Sequence, residues 1–475
     1  MRSIDRFYIG GRWVEPAGTG RIEVIDPATE QPCGSIAAGC AEDVDRAVAA
    51  ARAAFPAFAQ TSREERIALL ERLADAYDAR AGELAAALTE EMGAPASLAA
   101  NAQVPLGSGH LRAAARALAG FAFEEAMGAT RIVREPIGVA GMITPWNWPL
   151  HQIGCKVAPA IATGCTMVLK PSEAAPFDAQ IFAEIVDAAG VPAGVFNLVH
   201  GDGPGVGAPM AAHPDIDLIS FTGSTGAGVA VAQAAAPSVK RVCQELGGKS
   251  ALIALDDARL ADSVAGCVDR VMANSGQSCN APTRLLVPAH RMAEAAEAAR
   301  AAAERVSVGD PRGNSRMGPV VSGAQWAKIQ ALIRIGLEEG ATLVAGGPGR
   351  PDGLDRGFYV RPTVFADVRN GMTIAREEIF GPVLCIIGYD SPGDAIAIAN
   401  DSPYGLSAAV SGEDVALARS LARMLRAGEV LINGAWDIDA PFGGYRQSGN
   451  GREKGVFAFH DFLEVKAIVG YGTGE

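Results

Sequence analysis

Gly138-Val139-Ala140-Gly141-Met142-Ile143-Thr144-Pro145-Trp146-Asn147-Trp148-Pro149 opens the part of the chain that decides its fold. A short apolar run ends there in a proline-flanked polar loop, and a helical pattern follows near residues 150–162. The unit then recurs, with strand-like runs at 166–169, 195–199 and 218–221 and helical segments near 178–189, 203–212 and 225–236. Such alternation implies a parallel sheet with crossover helices. In open sheets of this kind ligands sit beyond the carboxyl ends of the strands. The loops that follow those runs are therefore where function is sought.

Past Gly247 the alternation continues more loosely, with a helix near 258–274, a strand near 283–287, an Ala-rich helix near 290–305 and further pairs to about residue 432. This predicts a second α/β domain. Before residue 138, helical periodicity marks cover helices at 42–58, 63–77 and 82–91, and residues 7–25 resemble a surface hairpin around Gly10-Gly11 and Gly18-Gly20. Residues 128–136 read as a hairpin arm and 459–470 as a terminal strand. Exposed strands seek partners, so oligomerisation is expected.

At 475 residues the chain exceeds a single core, and its 49% hydrophobic, 20% charged composition is that of a globular protein. A net charge of −13 without any basic run argues against nucleic acid. Eight cysteines lack a C-x-x-C pair and six histidines lack metal spacing, so free thiols, a reducing compartment and no metal are expected. Residues 137–155 carry no charge, but Pro145, Asn147, Pro149, His151 and Gln152 make that segment unsuited to spanning a membrane. The first residues lack an apolar signal region, and a cytoplasmic location is expected.

Two segments carry the chemistry. Glu245-Leu246-Gly247-Gly248-Lys249 supplies a carboxylate and Gly276-Gln277-Ser278-Cys279 a thiol, which together suit covalent catalysis with a separate water-activating base. Either alone reads as a loop acid or a small buried hydrophobe. Asn147, fixed between prolines, can offer its amide to an oxyanion. Lys170 and Glu173, in Lys-Pro-Ser-Glu, can bond vicinal ribose hydroxyls, and Phe221-Thr222-Gly223-Ser224 opens a helix whose N-terminus favours a pyrophosphate.

Taken together, Thr-Pro-Trp-Asn-Trp-Pro, Lys-Pro-Ser-Glu, Phe-Thr-Gly-Ser-Thr, Glu-Leu-Gly-Gly-Lys, Gly-Gln-Ser-Cys, Glu-Glu-Ile-Phe-Gly-Pro and Pro-Phe-Gly-Gly-Tyr occur in the order seen in the NAD(P)-dependent aldehyde dehydrogenase superfamily, and the resemblance spans the whole chain. It implies a Rossmann-like dinucleotide-binding domain (residues 1–117 and 137–246), a second α/β catalytic domain (247–447) and a small β oligomerisation arm (118–136 and 459–475), assembled as a homodimer or homotetramer. By the same resemblance Cys279 is the nucleophile, Glu245 the general base, Asn147 with the Cys279 backbone N–H the oxyanion hole, and Glu453 a second acid near the water or proton path. The implied cofactor site comprises Ile143, Thr144, Pro145, Trp146, Lys170, Ser172, Glu173, Gly203, Gly207, Phe221, Thr222, Gly223, Ser224, Leu246, Glu378 and Phe380, binding NAD with NADP as a secondary cofactor.

The implied reaction is attack of Cys279 on an aldehyde, hydride loss from the thiohemiacetal and hydrolysis of the thioester by Glu245-activated water. A CoA-acylating relative would not need Glu245. A cofactor-independent cysteine hydrolase would leave the dinucleotide residues without purpose, and a non-catalytic relative would be expected to lack Cys279, Glu245 or Asn147. By position His151, Gln152, Cys155, Ser278, Trp436 and Phe442 line the substrate tunnel. None of the six is a Lys or Arg, which predicts an uncharged aliphatic or aromatic aldehyde.

Overall fold

The computed structural model describes residues 1–472. Its first large sheet has seven strands in the order Arg241–Glu245, Leu218–Thr222, Val139–Ile143, Thr166–Lys170, Phe196–Leu198, Phe7–Ile9 and Arg12–Val14. The first five run parallel, as the alternation requires, and helices Pro149–Thr163, Phe177–Ala188 and Thr225–Ala235 link them. Val139, Ala140, Met142, Met167, Val168, Leu169, Leu218 and Ile219 are wholly buried, because helices cover both faces of the sheet. The α/β class expected from the sequence holds.

A second seven-stranded sheet follows, in the order Thr342–Ala345, Thr363–Ala366, Val383–Tyr389, Arg284–Pro288, Ala251–Ala254, Ser407–Ser411 and Glu429–Ile432. Only its first strand is antiparallel to its neighbour. A smaller antiparallel sheet joins Leu463–Ile468, Thr130–Pro136 and Glu124–Met127, far apart in sequence. The strand expected at 459–470 begins later, since Phe457–Asp461 forms a short helix. Residues 473–475 of the expected arm lie outside the described residues.

Three differences from the sequence reading have physical causes. Phe7, Tyr8 and Ile9 are buried and extend the first sheet, so the Gly10-Gly11 turn closes a sheet-edge hairpin and not a surface one; Arg21–Asp26 belongs to a separate sheet with Gln31–Ala37 and Arg2–Ile4. Strand Arg241–Glu245 went unread because it lies at the sheet edge, half-buried along most of its length, and lacks an apolar run. Helix Val104–Gly120 was hidden by Pro105, Gly107 and Gly109. Pro is tolerated in a first turn, and Gly107 is required, since a Cβ there would lie 2.3 Å from the Tyr77 hydroxyl.

A π-helical turn, Ala99–Gln103, leads into that helix and carries it toward the catalytic loops. Among the described residues no helix is long and apolar enough to cross a membrane.

Candidate active site

Loops from the two large sheets meet where the chain passes from Met272 to Asn280. Asn274, Ser275 and Gly276 have left-handed backbones, with φ of 52°, 58° and 73°. A Cβ at Gly276 would sit 2.1 Å from the Gly381 backbone, so only glycine lets the chain turn there. The loop after strand Val139–Ile143 holds this turn from the other side. Asn274 Nδ2 donates to the Asn147 carbonyl at 2.8 Å, Asn147 Nδ2 donates to the Gln277 carbonyl at 3.0 Å, and Trp148 Nε1 donates to Ser278 Oγ at 2.8 Å. A carboxamide has two N–H bonds. The buried Asn147 therefore keeps one N–H beyond its bond to Gln277.

Cys279 lies where two cavities join, one of 540 Å³ and one of 210 Å³. Burial pushes its thiol up to about 12, Glu378 and Glu245 push in the same direction, and Lys454 opposes them. At neutral pH Cys279 is thus held as a thiol. Inactivation by iodoacetamide, measured without substrate or cofactor, is expected to rise about tenfold per pH unit from pH 7 to 9 without a plateau, because the thiolate is the reacting form. A plateau below pH 8 would show a depressed thiol instead.

Glu245 ends strand Arg241–Glu245 and is buried with neither carboxylate oxygen bonded. Burial raises its pKa well above the carboxylate range, and Glu453 adds to this, while Lys156 and Arg452 pull the other way. It lines the 210 Å³ cavity with Cys279, and also a small cavity behind, shared with Glu453 and Asp461. Glu453 Oε1 there accepts from Lys156 Nζ at 2.5 Å, and Lys156 also bonds Ser220 Oγ at 3.0 Å. Lys156 went unread, having no motif of its own. Its partner is supplied from 297 residues away.

Half of the sixteen expected cofactor residues line the 210 Å³ cavity: Pro145, Trp146, Thr222, Gly223, Ser224, Leu246, Glu378 and Phe380. Phe380 is held at φ 58° and meets Trp146 edge-on, with ring centroids 5.5 Å apart. Glu378 accepts from Gly248 N–H at 3.0 Å, and its carboxylate fills the space a Cβ on Gly247 would need. Gly223 gives its missing side chain to the Phe221 ring, which a Cβ would approach to 2.6 Å, and Ser224 caps helix Thr225–Ala235. Both glycine positions are thus explained by neighbouring side chains.

The other eight do not line it: Phe221 packs on Gly223, and Ile143, Thr144, Lys170, Ser172, Glu173, Gly203 and Gly207 lie at or after the ends of strands Val139–Ile143, Thr166–Lys170 and Phe196–Leu198. Lys170 is buried, donates to the Pro171 carbonyl at 2.8 Å and pairs with the partly exposed Glu173 at 3.2 Å. Its stem lies 3.7 Å from the Cβ position of Gly207, with the Ile143 side chain also against that glycine, while Gly203 faces open space. Ser172 Oγ accepts from Ala174 N–H. A dinucleotide fits this run of strand ends: the buried hydroxyls of Thr144 and Thr222 have no partner among the described residues, and the Glu173 carboxylate, bonded to Lys170 through Oε2, keeps acceptor capacity for hydroxyl groups.

On the opposite side, His151, Gln152, Ser278, Trp436 and Phe442 line the 540 Å³ cavity. Cys155 does not. It is buried behind His151, with Sγ 3.3 Å from His110 Nε2, because its place on helix Pro149–Thr163 faces the protein interior. His110 and His151 are themselves in contact at 2.8 Å, and burial drives both rings toward the neutral form. Sequence reasoning missed Ala102, Pro105 and Leu106, which reach the cavity from the π-turn and helix Val104–Gly120, and it missed Lys454. For Lys454 a signal existed in its position beside Glu453. For the helix there was none, since only folding brings it to Cys279.

Comparison with known proteins agrees with this arrangement. The model of the aldehyde dehydrogenase family matches residues 13–468. A 3-succinoylsemialdehyde-pyridine dehydrogenase from Pseudomonas sp is 56% identical over 474 residues, covering 99% of each chain. Among solved structures, aldehyde dehydrogenase C from Pseudomonas syringae, a cysteine-to-alanine variant in complex with NAD+ and octanal, is 54% identical with a TM-score of 0.98, covering 99% of this chain and 98% of its own. An aldehyde dehydrogenase from Bartonella henselae is 45% identical with a TM-score of 0.96, covering 99% of this chain and all of its own. The chain belongs to the aldehyde dehydrogenase family.

Proposed function

We propose that this protein oxidises an aldehyde to the carboxylic acid with NAD, through a thioester on Cys279 that is hydrolysed by water activated by Glu245. The observation that carries this reading is the position of Cys279 at the junction of two cavities, with Glu245 and Asn147 on the walls of one and the access tunnel forming the other. Similarity to proteins solved with NAD+ supports the cofactor.

Cys279 loses its thiol proton to solvent and attacks the carbonyl carbon as the thiolate, and the free Asn147 N–H with the Cys279 backbone N–H stabilises the resulting oxyanion, a contribution of about 3 kcal/mol per donor. NAD, when bound, supplies the hydride acceptor, with Trp146, Glu378 and Phe380 holding its reactive end and Thr222, Gly223 and Ser224 its pyrophosphate. Lys170 and Glu173 hold a ribose. Glu245 then takes a proton from the attacking water. A raised pKa makes its carboxylate a competent base once ionised, and the cavity behind it, with Glu453 and Lys156, offers that proton a route away.

Residues 1–117 and 137–246 form the cofactor domain in this reading, 247–447 the catalytic domain, and 118–136 with 459–475 an arm between subunits of a homodimer or homotetramer. Val465 at 68% and Met127 at 63% exposure leave apolar area on the arm for a partner to cover. Eight free cysteines suit a cytoplasmic protein.

The test is cofactor reduction followed at 340 nm with octanal, with product identified as the acid. kcat/KM for NAD is expected to exceed that for NADP by at least about tenfold, because like charges in contact disfavour binding by several kcal/mol and the Glu173 carboxylate would meet a 2′-phosphate. Equal use of both cofactors would remove Glu173 from the ribose site. No cofactor reduction with any aldehyde would refute the function.

A further inference from the structure

We propose that Lys454 selects aldehydes that carry a carboxylate on an apolar body, an inference that rests on the oxidation proposed above and specifies its substrate class. Lys454 is only 5% exposed and lines the same 540 Å³ cavity as Cys279. Among the described residues lining that cavity it is the only Lys, Arg, Asp or Glu.

Its ammonium has one favourable contact, with the Phe442 ring at 4.3 Å from the centroid. No carboxylate or carbonyl among the described residues accepts from it. The acid beside it in sequence is engaged elsewhere, as Glu453 pairs with Lys156 at 2.5 Å. An ammonium has three donors, and those of Lys454 are left to the cavity. An anion arriving in the cavity would supply what the protein withholds.

The backbone explains why the two neighbours face different cavities. Glu453 and Phe442 exchange N–H···O bonds of 2.8 and 2.7 Å, which pins the chain, and Lys454 then turns through a left-handed backbone at φ 69°, followed by Gly455 at φ 54°. Glu453 thereby reaches the small cavity behind Glu245, and Lys454 the substrate cavity. Beside the polar Asn101, His151, Gln152, Ser278 and Asn280, the substrate wall has an apolar stretch from Pro105, Leu106, Trp148, Trp436 and Ile438. It suits a hydrocarbon or ring between the aldehyde at Cys279 and the carboxylate at Lys454. The expectation of an uncharged substrate rested on six positions without a cation; Lys454 is a seventh.

The experiment compares an ω-aldehyde carboxylic acid having an apolar spacer with its methyl ester, using kcat/KM from NADH formation. Wild type should prefer the acid. In Lys454→Met the acid-to-ester ratio of kcat/KM is expected to fall at least about 30-fold, mainly through KM, as for truncation of one partner of a buried charge pair. Lys454→Arg should keep the preference for the acid. Because the readout is a ratio, a reduced fraction of folded enzyme does not alter it. An unchanged ratio in Lys454→Met, or a wild-type preference for the ester, would overturn the proposal. Failure of wild type to oxidise octanal as well would overturn the oxidation itself and this inference with it.

Discussion

Replacing Cys279 with alanine is expected to lower kcat/KM for aldehyde oxidation by about 10⁴-fold or more, because loss of a covalent nucleophile removes the whole of the split reaction path. Geometry makes this thiol irreplaceable. Cys155 and Cys243 are the nearest alternatives in sequence function, yet Cys155 is buried behind His151 and Cys243 lines only the small cavity with Glu453. Their alanine variants should therefore keep most of the turnover. The check is steady-state NADH formation together with labelling of Cys279 in each variant. Near-normal turnover by Cys279→Ala would sink the covalent mechanism.

Glu245→Gln is expected to separate two steps that wild type performs together. The amide preserves shape but cannot take a proton, so hydride loss from the cysteine adduct should proceed while thioester hydrolysis slows, by about 10²- to 10⁴-fold for a lost general base. A stopped-flow trace should then show about one NADH per active site in a burst, followed by slow turnover. Both Glu245 oxygens lack partners among the described residues, so glutamine would lose no bond seen there, and folding should be little disturbed. Unchanged steady-state turnover, or wild-type acyl transfer to CoA that outruns hydrolysis, would count against Glu245 as the water-activating base.

The central strands of the first sheet and the helices between them are legible in the sequence because each element is encoded locally. Val139–Ile143, Thr166–Lys170 and Leu218–Thr222 are uniformly buried strands, so their apolar runs stand out, and the helices between them repeat every three to four residues. Elements whose stability comes from long-range contacts were not legible. Helix Val104–Gly120 carries glycines that local propensity disfavours, and Gly107 is there because Tyr77 packs on it. The edge strand Arg241–Glu245 has no apolar run, and its pairing with Leu218–Thr222 supplies the order that its composition does not.

By itself the amino-acid sequence determined the α/β class, the family and the segments bearing Cys279, Glu245 and Asn147, since glycine- and proline-rich loops at strand ends are local signals tied to one chemistry. Only the tertiary structure decided which groups share a cavity. It withdrew Cys155 from the substrate wall, paired Lys156 with Glu453, and brought Lys454 to the chamber that holds Cys279. The physical reason is that a side chain's direction depends on the backbone turn beneath it and on partners hundreds of residues away. Glu453 and Lys454 are neighbours in the chain, yet one left-handed residue sends their charges into different cavities.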